Sequence, residues 1–455
     1  MQERFEIMEK AIEQMASEKK YATLRDILVT MNPADIAAIF TSLEEAYLPL
    51  LFRLLPKELA AETFVEMEPE EQELLIRTFS DNELKEVVDE LYADDAAALI
   101  EEMPANVVKR ILKQADPEMR QSINQILRYP ENSAGSLMTT EYVSLRPNMT
   151  VEESILRIRR QGVDKETIYT CYVTKDRKLL GIITVKDLLL AEDDEMRIGD
   201  LMLENFISVT THTDQEEVAR MFSKYNFLAL PVVDNENRMV GIVTFDDAMD
   251  VMEDEATEDM EKMGGMIPSE KTYLRSSAWE LFRNRIPWLL LLMISATFTG
   301  MIITSFEGAL TAALAAFIPM LMGTGGNSGS QSSVTIIRAL SLDELEFSDI
   351  IRVVWKEIRT AVLCGLVLAI VCFGKIWLID RLLLGNYDIT FLVDLVVCLA
   401  LFVTVLVAKV VGAVLPMVAK LIHLDPAVMA SPFITSIVDA LSLLVYFLFA
   451  QAILP

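Results

Sequence analysis

The feature that most constrains this chain is a run of 21 residues without a charged side chain, residues 286–306. An α-helix rises 1.5 Å per residue and the hydrocarbon core of a bilayer is about 30 Å thick, so this run is long enough to cross a membrane. Further runs with membrane character cover residues 308–337, 360–379, 392–413 and 431–454. Residues 276–455 are therefore predicted to form a polytopic α-helical membrane domain with five transmembrane helices.

The second of these runs differs from the others in composition. It contains Pro319 and a cluster of glycines, namely Gly323, Gly325, Gly326 and Gly329. Both residue types weaken a helix, so this span is predicted to be kinked or locally unwound.

Charge divides the chain in two. The net charge is -28, and residues 1–274 hold 56 acidic against 29 basic residues, whereas residues 275–455 hold 12 against 11. Such an acidic chain is not expected to bind nucleic acid. The four cysteines form no CxxC pair, which argues against a disulfide framework or a thiolate metal site. No HExxH, GxSxG or Walker-type motif is present, so the chain is not expected to be an enzyme.

The basic residues predict the orientation in the membrane. The N-terminal segment MQERFEIMEK has no apolar core typical of a signal peptide, so the N-terminus is expected in the cytoplasm. With five spans, the outer loops carry chiefly Arg381, whereas the inner flanks carry Arg275, Arg283, Arg285, Arg338, Arg352, Lys356, Arg359 and Lys420. These observations predict a multi-pass protein of the cell (plasma) membrane with its C-terminus outside.

Residues 1–132 are predicted to form an acidic helical domain. Short apolar-periodic runs follow repeated helix-start signals, such as Asn32-Pro33, Pro56, Pro69, Asp81 and Asp94-Asp95. The pattern indicates a small superhelical solenoid. Helix N-termini favour both acidic residues and proline, which explains most of these side chains without a ligand.

Residues 133–200 and 201–248 resemble each other. LMTTEYVSLRPNMTVEES precedes LLGIITVKDLL in the first, and LMLENFISVTTHTDQEEV precedes MVGIVTFDDAM in the second. This α+β pattern resembles a tandem pair of CBS domains, which often bind adenine nucleotides. ATP binding at Thr184, Asp187, Thr244 and Asp247 is one hypothesis; the other is that these side chains only cap turns and helices.

Residues 249–275 are predicted to form an acidic connecting helix, the plug helix, followed by a hinge. Several carboxylates recur at spacings of three and four, which places them on one helical surface: Asp247, Asp250, Glu255, Glu258 and Asp259. Gly264-Gly265 supplies a flexible joint before the first span.

Asp439 is the residue least expected in its surroundings. It is the only acidic or basic residue between Pro426 and Pro455, and it lies about 12 Å into the last span. An unpaired carboxylate there is costly, so Asp439 must face a cavity, a cation or a partner such as Lys409. Oxygen-bearing side chains on this and the second span could join it, namely Thr435, Ser436, Asn327, Ser328, Ser330 and Gln331.

These groups predict the kind of ion. Carboxylate, amide and hydroxyl oxygens suit hard cations, and the chain has two histidines and no thiolate cluster. A ring of carboxylates could hold hydrated Mg²⁺ through its water shell. One Asp439 per chain makes such a ring only if two chains pair, so a homodimer is expected.

The whole chain resembles the MgtE family of magnesium channels or transporters. The order of domains matches, and so do the segments PMLMGTGGNSGSQSS and DPAVMASPFITSIVD, which ends at Asp439. The resemblance implies that Asp439 forms the Mg²⁺ site at the centre of a homodimeric pore. It also implies that Mg²⁺ bridges the acidic cytosolic domains and closes the pore, through Glu62, Asp94, Glu216, Asp247, Asp250, Glu255, Glu258 and Asp259.

The sequence departs from the family pattern at a few positions. Asn226 and Ala98 stand where acidic residues are expected, which implies fewer or weaker sensing sites. Ser330 stands where the family commonly has Asn, and Ser442 stands where it commonly has Gly. These two departures leave the pore width open. A second hypothesis keeps the same intramembrane carboxylate: a carboxylate-coupled secondary transporter of divalent cations that works by alternating access.

Overall fold

The computed structural model describes residues 2–269, 273–274, 276–309, 311–383, 385 and 389–454. Arg275 and part of the predicted hinge lie outside these residues. The chain divides into two units, Met1–Met252 and Glu253–Pro455.

The N-terminal part is a series of short helices, as the helix-start signals predict. Asn32 accepts a hydrogen bond from the backbone N–H of Ala34 (3.0 Å), and Ser80 and Glu83 form a reciprocal capping box. The apolar faces share one core, which contains Leu24, Phe64 and Ile111. The predicted helical solenoid is confirmed. Its helices are α1 (Gln2–Ser17), α2 (Tyr21–Leu28), α3 (Pro33–Ser42), α4 (Leu48–Phe52), α5 (Lys57–Val65), α6 (Pro69–Thr78), α7 (Asp81–Val88), α8 (Ala93–Glu102), α9 (Ala105–Gln114) and α10 (Pro117–Ile126).

The two predicted repeats have the same topology. The first contains α11 (Ala134–Leu137), β1 (Tyr142–Leu145), α12 (Val151–Gln161), β2 (Thr167–Lys175), β3 (Lys178–Thr184) and α13 (Val185–Leu189). The second contains α14 (Ile198–Leu201), β4 (Val209–Thr210), α15 (Gln215–Tyr225), β5 (Ala229–Val233), β6 (Met239–Thr244) and the start of α16 (Phe245–Met263). In each sheet the first strand pairs parallel and the third antiparallel to the middle one. Bridges Thr139–Ile242 and Ile182–Leu203 join the repeats reciprocally.

The second unit is helical beyond α16. It contains α17 (Ala278–Ser305), α18 (Ala312–Ala315), α19 (Ile318–Ser341), α20 (Ile350–Lys375), α21 (Phe391–Leu421) and α22 (Ser431–Ile453). A π-helical segment, Ile376–Leu383, extends α20, and a 3₁₀ turn, Pro426–Met429, precedes α22. Among the described residues, four segments are long and apolar enough to span a membrane: Ala278–Ser305, Phe347–Leu383, Phe391–Leu421 and Pro426–Ile453. The count of five spans stays a prediction, because α19 is more polar.

The glycine-rich helix α19 differs from the prediction. It continues without a break through its glycine cluster, so the predicted unwinding there is wrong. Pro319 occupies the first turn, where its missing N–H breaks no helical hydrogen bond. Instead, Gly325 and Gly329 let α21 and α22 approach the backbone of α19 closely, as small residues do in membrane helix packing.

The predicted joint after α16 is a tight, packed turn. Gly265 has a φ of +70°, and a Cβ at this position would overlap the indole ring of Trp288 in α17. The backbone N–H of Ile267 donates to the carbonyl oxygen of Asn284 (3.0 Å). Glycine is required here both by the left-handed backbone and by the close approach of Trp288.

Candidate magnesium pathway and sensing sites

Asp439 lies near the middle of α22, and one of its carboxylate oxygens has no partner. Its Oδ1 atom is buried and accepts no hydrogen bond from any described residue. Buried carboxylate oxygens in folded proteins are normally satisfied, since leaving one bare costs free energy. No hydrogen bond or ion pair joins Asp439 to Lys409 among the described residues, and the Lys409 ammonium donates to the Ser332 hydroxyl instead. The bare oxygen is suited to a cation or to water held around one.

Small and hydroxyl-bearing residues line the helix contacts beside Asp439. Thr435, one turn before Asp439, packs against Gly326, where an added Cβ would lie 2.9 Å from the Thr435 Cγ2. Ser442, one turn after, packs against Gly325 and donates its hydroxyl to the Val438 carbonyl oxygen (2.6 Å). The hydroxyl at Ser442 is thus satisfied within its own helix.

The polar residues predicted on the second span do not all face α22. Asn327 and Gln331 are exposed, on the side of α19 away from the glycines that contact α22. Ser330 is half-buried, and Ser328 is buried. A single chain therefore does not bring Asn327 and Gln331 to Asp439. Ser436 donates its hydroxyl to the Pro432 carbonyl oxygen (3.2 Å), as polar side chains commonly do in membrane helices.

Lys409 has a partner that the sequence did not indicate. Its ammonium is buried and donates to the Ser332 hydroxyl (3.3 Å), which in turn donates to the Glu357 carboxylate (2.6 Å). Three helices, α19, α20 and α21, each contribute one member of this network. Lys409 and Ser332 are buried and Glu357 is half-buried, and charges of opposite sign joined through a hydroxyl compensate part of their desolvation.

A second cluster of carboxylates lies in the first unit. Asp94 and Asp95 begin α8, Glu166 directly precedes β2, and Asp247 lies in the first turn of α16. Burial, followed by the charge of Asp247, raises the pKa of Asp94, of Asp95 (to about 7) and of Glu166 (to about 8). Burial also raises the pKa of Asp247 to about 6. The cluster is thus a site of unfavourable negative charge that protons or cations relieve.

The sequence identified only part of this cluster. Asp94 and Asp247, two of the predicted sensing residues, lie in this cluster, while Asp95 and Glu166 were missed. Glu166 is notable because its Oε2 atom is buried without a hydrogen-bond partner among the described residues. Its position in the chain, in a turn after α12, gives no sign of the contact with α8 and α16. Only the tertiary fold places it there.

The other predicted sensing residues are spread over the first unit and along α16. Glu62 is exposed on α5, and Asp250 is exposed on α16. Glu216 in the first turn of α15 lies 3.7 Å from the Arg220 guanidinium. Glu255 is half-buried. Of the positions that depart from the family, Ala98 is exposed on α8, and Asn226 ends α15 in the left-handed conformation that asparagine tolerates well.

The end of α16 makes a separate polar contact inside the second unit. Asp259 accepts a hydrogen bond from the Ser341 hydroxyl at the end of α19 (3.4 Å). Lys262 lies 2.6 Å from Glu258 and 2.7 Å from Asp425, the residue before the 3₁₀ turn that leads into α22. The partner roles of Lys262 and Asp425, 163 residues apart, were not visible in the sequence.

The donor chemistry fits Mg²⁺ held through water rather than by a ready-made cage. Among the described residues, no three His, Cys, Asp or Glu side chains are arranged to ligate one metal ion directly. Mg²⁺ keeps several of its waters and needs only one or two protein carboxylates. Single carboxylate oxygens such as those of Asp439 and Glu166 suit that mode of binding.

The predicted nucleotide-binding residues are helix caps. Thr184 and Asp187 form a reciprocal capping box at the start of α13, in which the Thr184 hydroxyl donates to Asp187 (2.5 Å). Thr244 donates to Asp247 in the same way. These contacts stabilise the first turns of the helices and account for the four side chains without a nucleotide.

Comparison with known proteins agrees with these features. The family described as a divalent cation transporter, MgtE, matches residues 318–449, the MgtE intracellular N domain matches residues 31–132, and CBS domains match residues 134–194 and 198–254. The magnesium transporter MgtE of Thermus thermophilus is 37% identical over 452 residues, 98% of each chain. That of Bacillus subtilis is 33% identical over 436 residues, covering 95% of this chain and 94% of its own.

Solved structures resemble the N-terminal half of the chain. The cytosolic domain of the Mg²⁺ channel MgtE in complex with ATP is 39% identical, with a TM-score of 0.51, and covers 53% of this chain and 99% of its own. The soluble part of a magnesium transporter is 29% identical, with a TM-score of 0.52, and covers 55% and 99%. Both relatives that match nearly the full length are named as transporters rather than as enzymes. By the match over nearly its full length, this chain belongs to the MgtE family of magnesium transporters.

Proposed function

We propose that this chain conducts Mg²⁺ through a pore at which Asp439 binds the ion, and that Mg²⁺ bound to the cytosolic carboxylates closes this pore. The observation that carries the pore assignment is the buried, unpartnered Oδ1 atom of Asp439 in α22. Because each chain supplies one such carboxylate, the pore forms between two copies, with their Asp439 side chains facing a shared axis. The N-terminus lies in the cytoplasm, and the C-terminus lies outside the plasma membrane.

The closing step is supported by the cluster of Asp94, Asp95, Glu166 and Asp247. Burial and mutual repulsion disfavour four charged carboxylates in one place, so a bound cation stabilises the compact arrangement, as protons do at lower pH. A ligand that binds only this arrangement stabilises it by about 2.7 kcal/mol at a hundredfold excess over its dissociation constant. Several weak sites, including Glu62, Glu216 and Asp250, then add to a steep response.

ATP binding at the repeats is a subsidiary proposal. It is supported by the relative whose cytosolic domain was solved in complex with ATP. In this chain Thr184, Asp187 and Thr244 serve as helix caps, so a nucleotide at these side chains would share hydrogen bonds that already exist. Titration calorimetry of the purified chain with ATP and AMP tests this, and an absence of heat at millimolar nucleotide would count against it.

The pore assignment is tested by Mg²⁺ flux into vesicles that contain the purified chain. Asp439→Ala and Asp439→Asn are expected to abolish flux, because neither replacement leaves an anionic ligand at the pore. Asp394→Asn is the matched control: Asp394 is another buried carboxylate, on α21, but it accepts a hydrogen bond from the Cys398 thiol (3.5 Å). The control is expected to retain most of the flux. Full flux in Asp439→Ala would contradict the assignment.

The same preparation separates a channel from a carboxylate-coupled transporter. A channel produces unitary current steps and needs no counter-ion, whereas a proton-coupled transporter moves protons against Mg²⁺ in a fixed ratio. Recordings at equal pH on both sides, followed by recordings with a pH gradient, distinguish them. Mg²⁺ movement driven by the proton gradient alone would favour the transporter.

A further inference from the structure

The ammonium of Lys262 occupies a site between two carboxylates from distant parts of the second unit. Its Nζ atom lies 2.6 Å from Glu258 Oε1, on the same helix, and 2.7 Å from Asp425 Oδ2. The other oxygen of Asp425 accepts the backbone N–H of Ala427 (2.8 Å) and so holds the 3₁₀ turn before α22. Lys262 therefore joins the end of the connecting helix α16 directly to the entry of the helix that carries Asp439.

Apolar and polar contacts align α16 with this ion pair. Met263, the last residue of α16, packs against Ile337 of α19 and against Ala427 and Ala430 beside α22. Asp259, one turn before Met263, accepts the Ser341 hydroxyl at 3.4 Å. The end of α16 is thus seated on the ends of α19 and α22, and Lys262 lies at the centre of this contact.

Three carboxylates meet at this contact, namely those of Glu258, Asp259 and Asp425. Among the described side chains that hydrogen-bond or ion-pair with them, Lys262 supplies the positive charge. The Lys262 ammonium lies 2.6 Å from Glu258 and 2.7 Å from Asp425, so its charge offsets part of the repulsion among these acids.

We propose that Lys262 is a built-in counter-ion that holds the connecting helix against the entry of α22 in the absence of Mg²⁺, and thereby sets the Mg²⁺ concentration that closes the pore. This proposal rests on the gating described above. A tethered ammonium is present in every molecule and cannot be diluted away, so it stabilises the seated helix at any Mg²⁺ concentration. Bound Mg²⁺ then needs to supply only the remainder of the closing free energy, which lowers the concentration required.

The experiment measures the Mg²⁺ midpoint of closure in the full chain, by protease protection of residues 245–262 and by single-channel recording. Lys262→Met keeps the length of the side chain and removes its charge. We expect the midpoint to rise by roughly threefold to tenfold, because two partly exposed ion pairs are lost and the carboxylates they neutralised repel one another. Lys262→Arg keeps the charge, and its midpoint is expected to stay within about twofold of wild type.

Two further variants separate the role of Lys262 as a latch, meaning the counter-ion that holds α16 against the entry of α22, from general damage to the fold. Lys420→Met removes another ammonium in the second unit, which lies 3.3 Å from Asp343 and donates to the Leu340 carbonyl oxygen (2.9 Å); among the described residues its ion pair and hydrogen bonds do not involve α16. Its midpoint is expected to equal that of wild type. Adding Asp425→Asn to Lys262→Met keeps a capping side chain and removes one repelling charge, so it is expected to lower the midpoint again.

The outcomes are distinct. If Mg²⁺ closes the wild-type pore and the midpoint of Lys262→Met is unchanged, the latch is overturned and the proposed gating stands. An equal rise in Lys420→Met and Lys262→Met would overturn it as well, because a general weakening of the fold would then explain both. A wild-type chain that Mg²⁺ does not close at all would overturn the gating itself, and with it the latch.

Discussion

Gly412 of α21 lies directly against Gly329 of α19, so that a Cβ carbon on Gly412 would overlap the Gly329 carbonyl oxygen. Gly412→Ala is expected to force the two helices apart and to destabilise the membrane domain by about 1–3 kcal/mol. The measurement is the thermal midpoint in detergent, together with Mg²⁺ flux. Gly374→Ala is the matched control, because a Cβ at this position of α20 would meet nothing within 4 Å. Equal effects of the two variants would contradict the packing argument.

The acidic cluster in the first unit predicts a stability that falls as pH rises. Glu166 and Asp95 have pKa values raised to about 8 and about 7, mainly by burial, so the folded state holds protons that the unfolded state releases above about pH 4.5. Their stabilising contribution is complete below that pH and is lost as the pH rises through about 8. Without Mg²⁺, we expect the first unit to lose on the order of 4 kcal/mol between pH 5 and pH 8.5, because each such carboxyl contributes about 1.4 kcal/mol per pH unit between its unfolded and folded pKa.

Hydrogen exchange at the amides of α8 and the first turn of α16 in the full chain measures this loss. Mg²⁺ at millimolar concentration is expected to flatten the dependence on pH, since a bound cation replaces the protons. Glu166→Gln is expected to flatten it without Mg²⁺, because the amide does not ionise. If neither Mg²⁺ nor Glu166→Gln changes how steeply the stability of the first unit falls with pH, other groups cause that dependence.

The network that joins buried Lys409 and Ser332 to half-buried Glu357 predicts a strong coupling between its two charged ends. Glu357→Gln alone leaves the Lys409 ammonium buried without a counter-charge, and we expect a loss of about 3–5 kcal/mol. The double variant Lys409→Met/Glu357→Gln removes both charges and is expected to recover most of that loss. Unfolding in detergent of the two single variants and the double variant gives the coupling free energy. Additive losses would argue against the network.

The turn at Gly265 predicts different effects for two neighbouring glycines. Gly265→Ala places a side chain on a left-handed backbone and against the indole of Trp288, so it is expected to displace the turn and to shift Trp288 fluorescence towards that of an exposed indole. Gly264→Ala is the control, because its Cβ would lie no closer than 3.3 Å to any atom. Identical emission spectra in both variants and wild type would contradict the described packing.

Local signals in the sequence predicted the elements whose causes are local. The helices of the solenoid begin where Asn32, Ser80 and the prolines place caps and first turns, and the two repeats fold alike because their apolar alternation is alike. Asp439 could be singled out because an isolated charge in an apolar run needs no structure to be noticed. In contrast, the prediction that the glycines unwind α19 was wrong. Glycine weakens an isolated helix, but here it allows α19 to pack closely against α21 and α22.

Contacts between distant residues were beyond such reasoning. Glu166 joins the acidic cluster only through the fold of the first unit, and Lys262 reaches Asp425 only because α16 ends beside the entry of α22. The same limit applied to Lys409, whose nearest acid in the sequence is not its partner. The resemblance to a family supplied the roles of the predicted sensing residues, and composition alone gave no means of choosing among 68 acidic side chains.

The close backbone packing of α19 restricts how this membrane domain can open. At Gly325, Gly329 and Gly412 the helices approach so closely that rearranging side chains at these positions cannot part them by small steps. Within one chain, α19, α21 and α22 must then tilt or slide as a single rigid block. If the pore forms between two copies, as proposed, an opening wide enough for a hydrated ion would form along the seam between two such blocks.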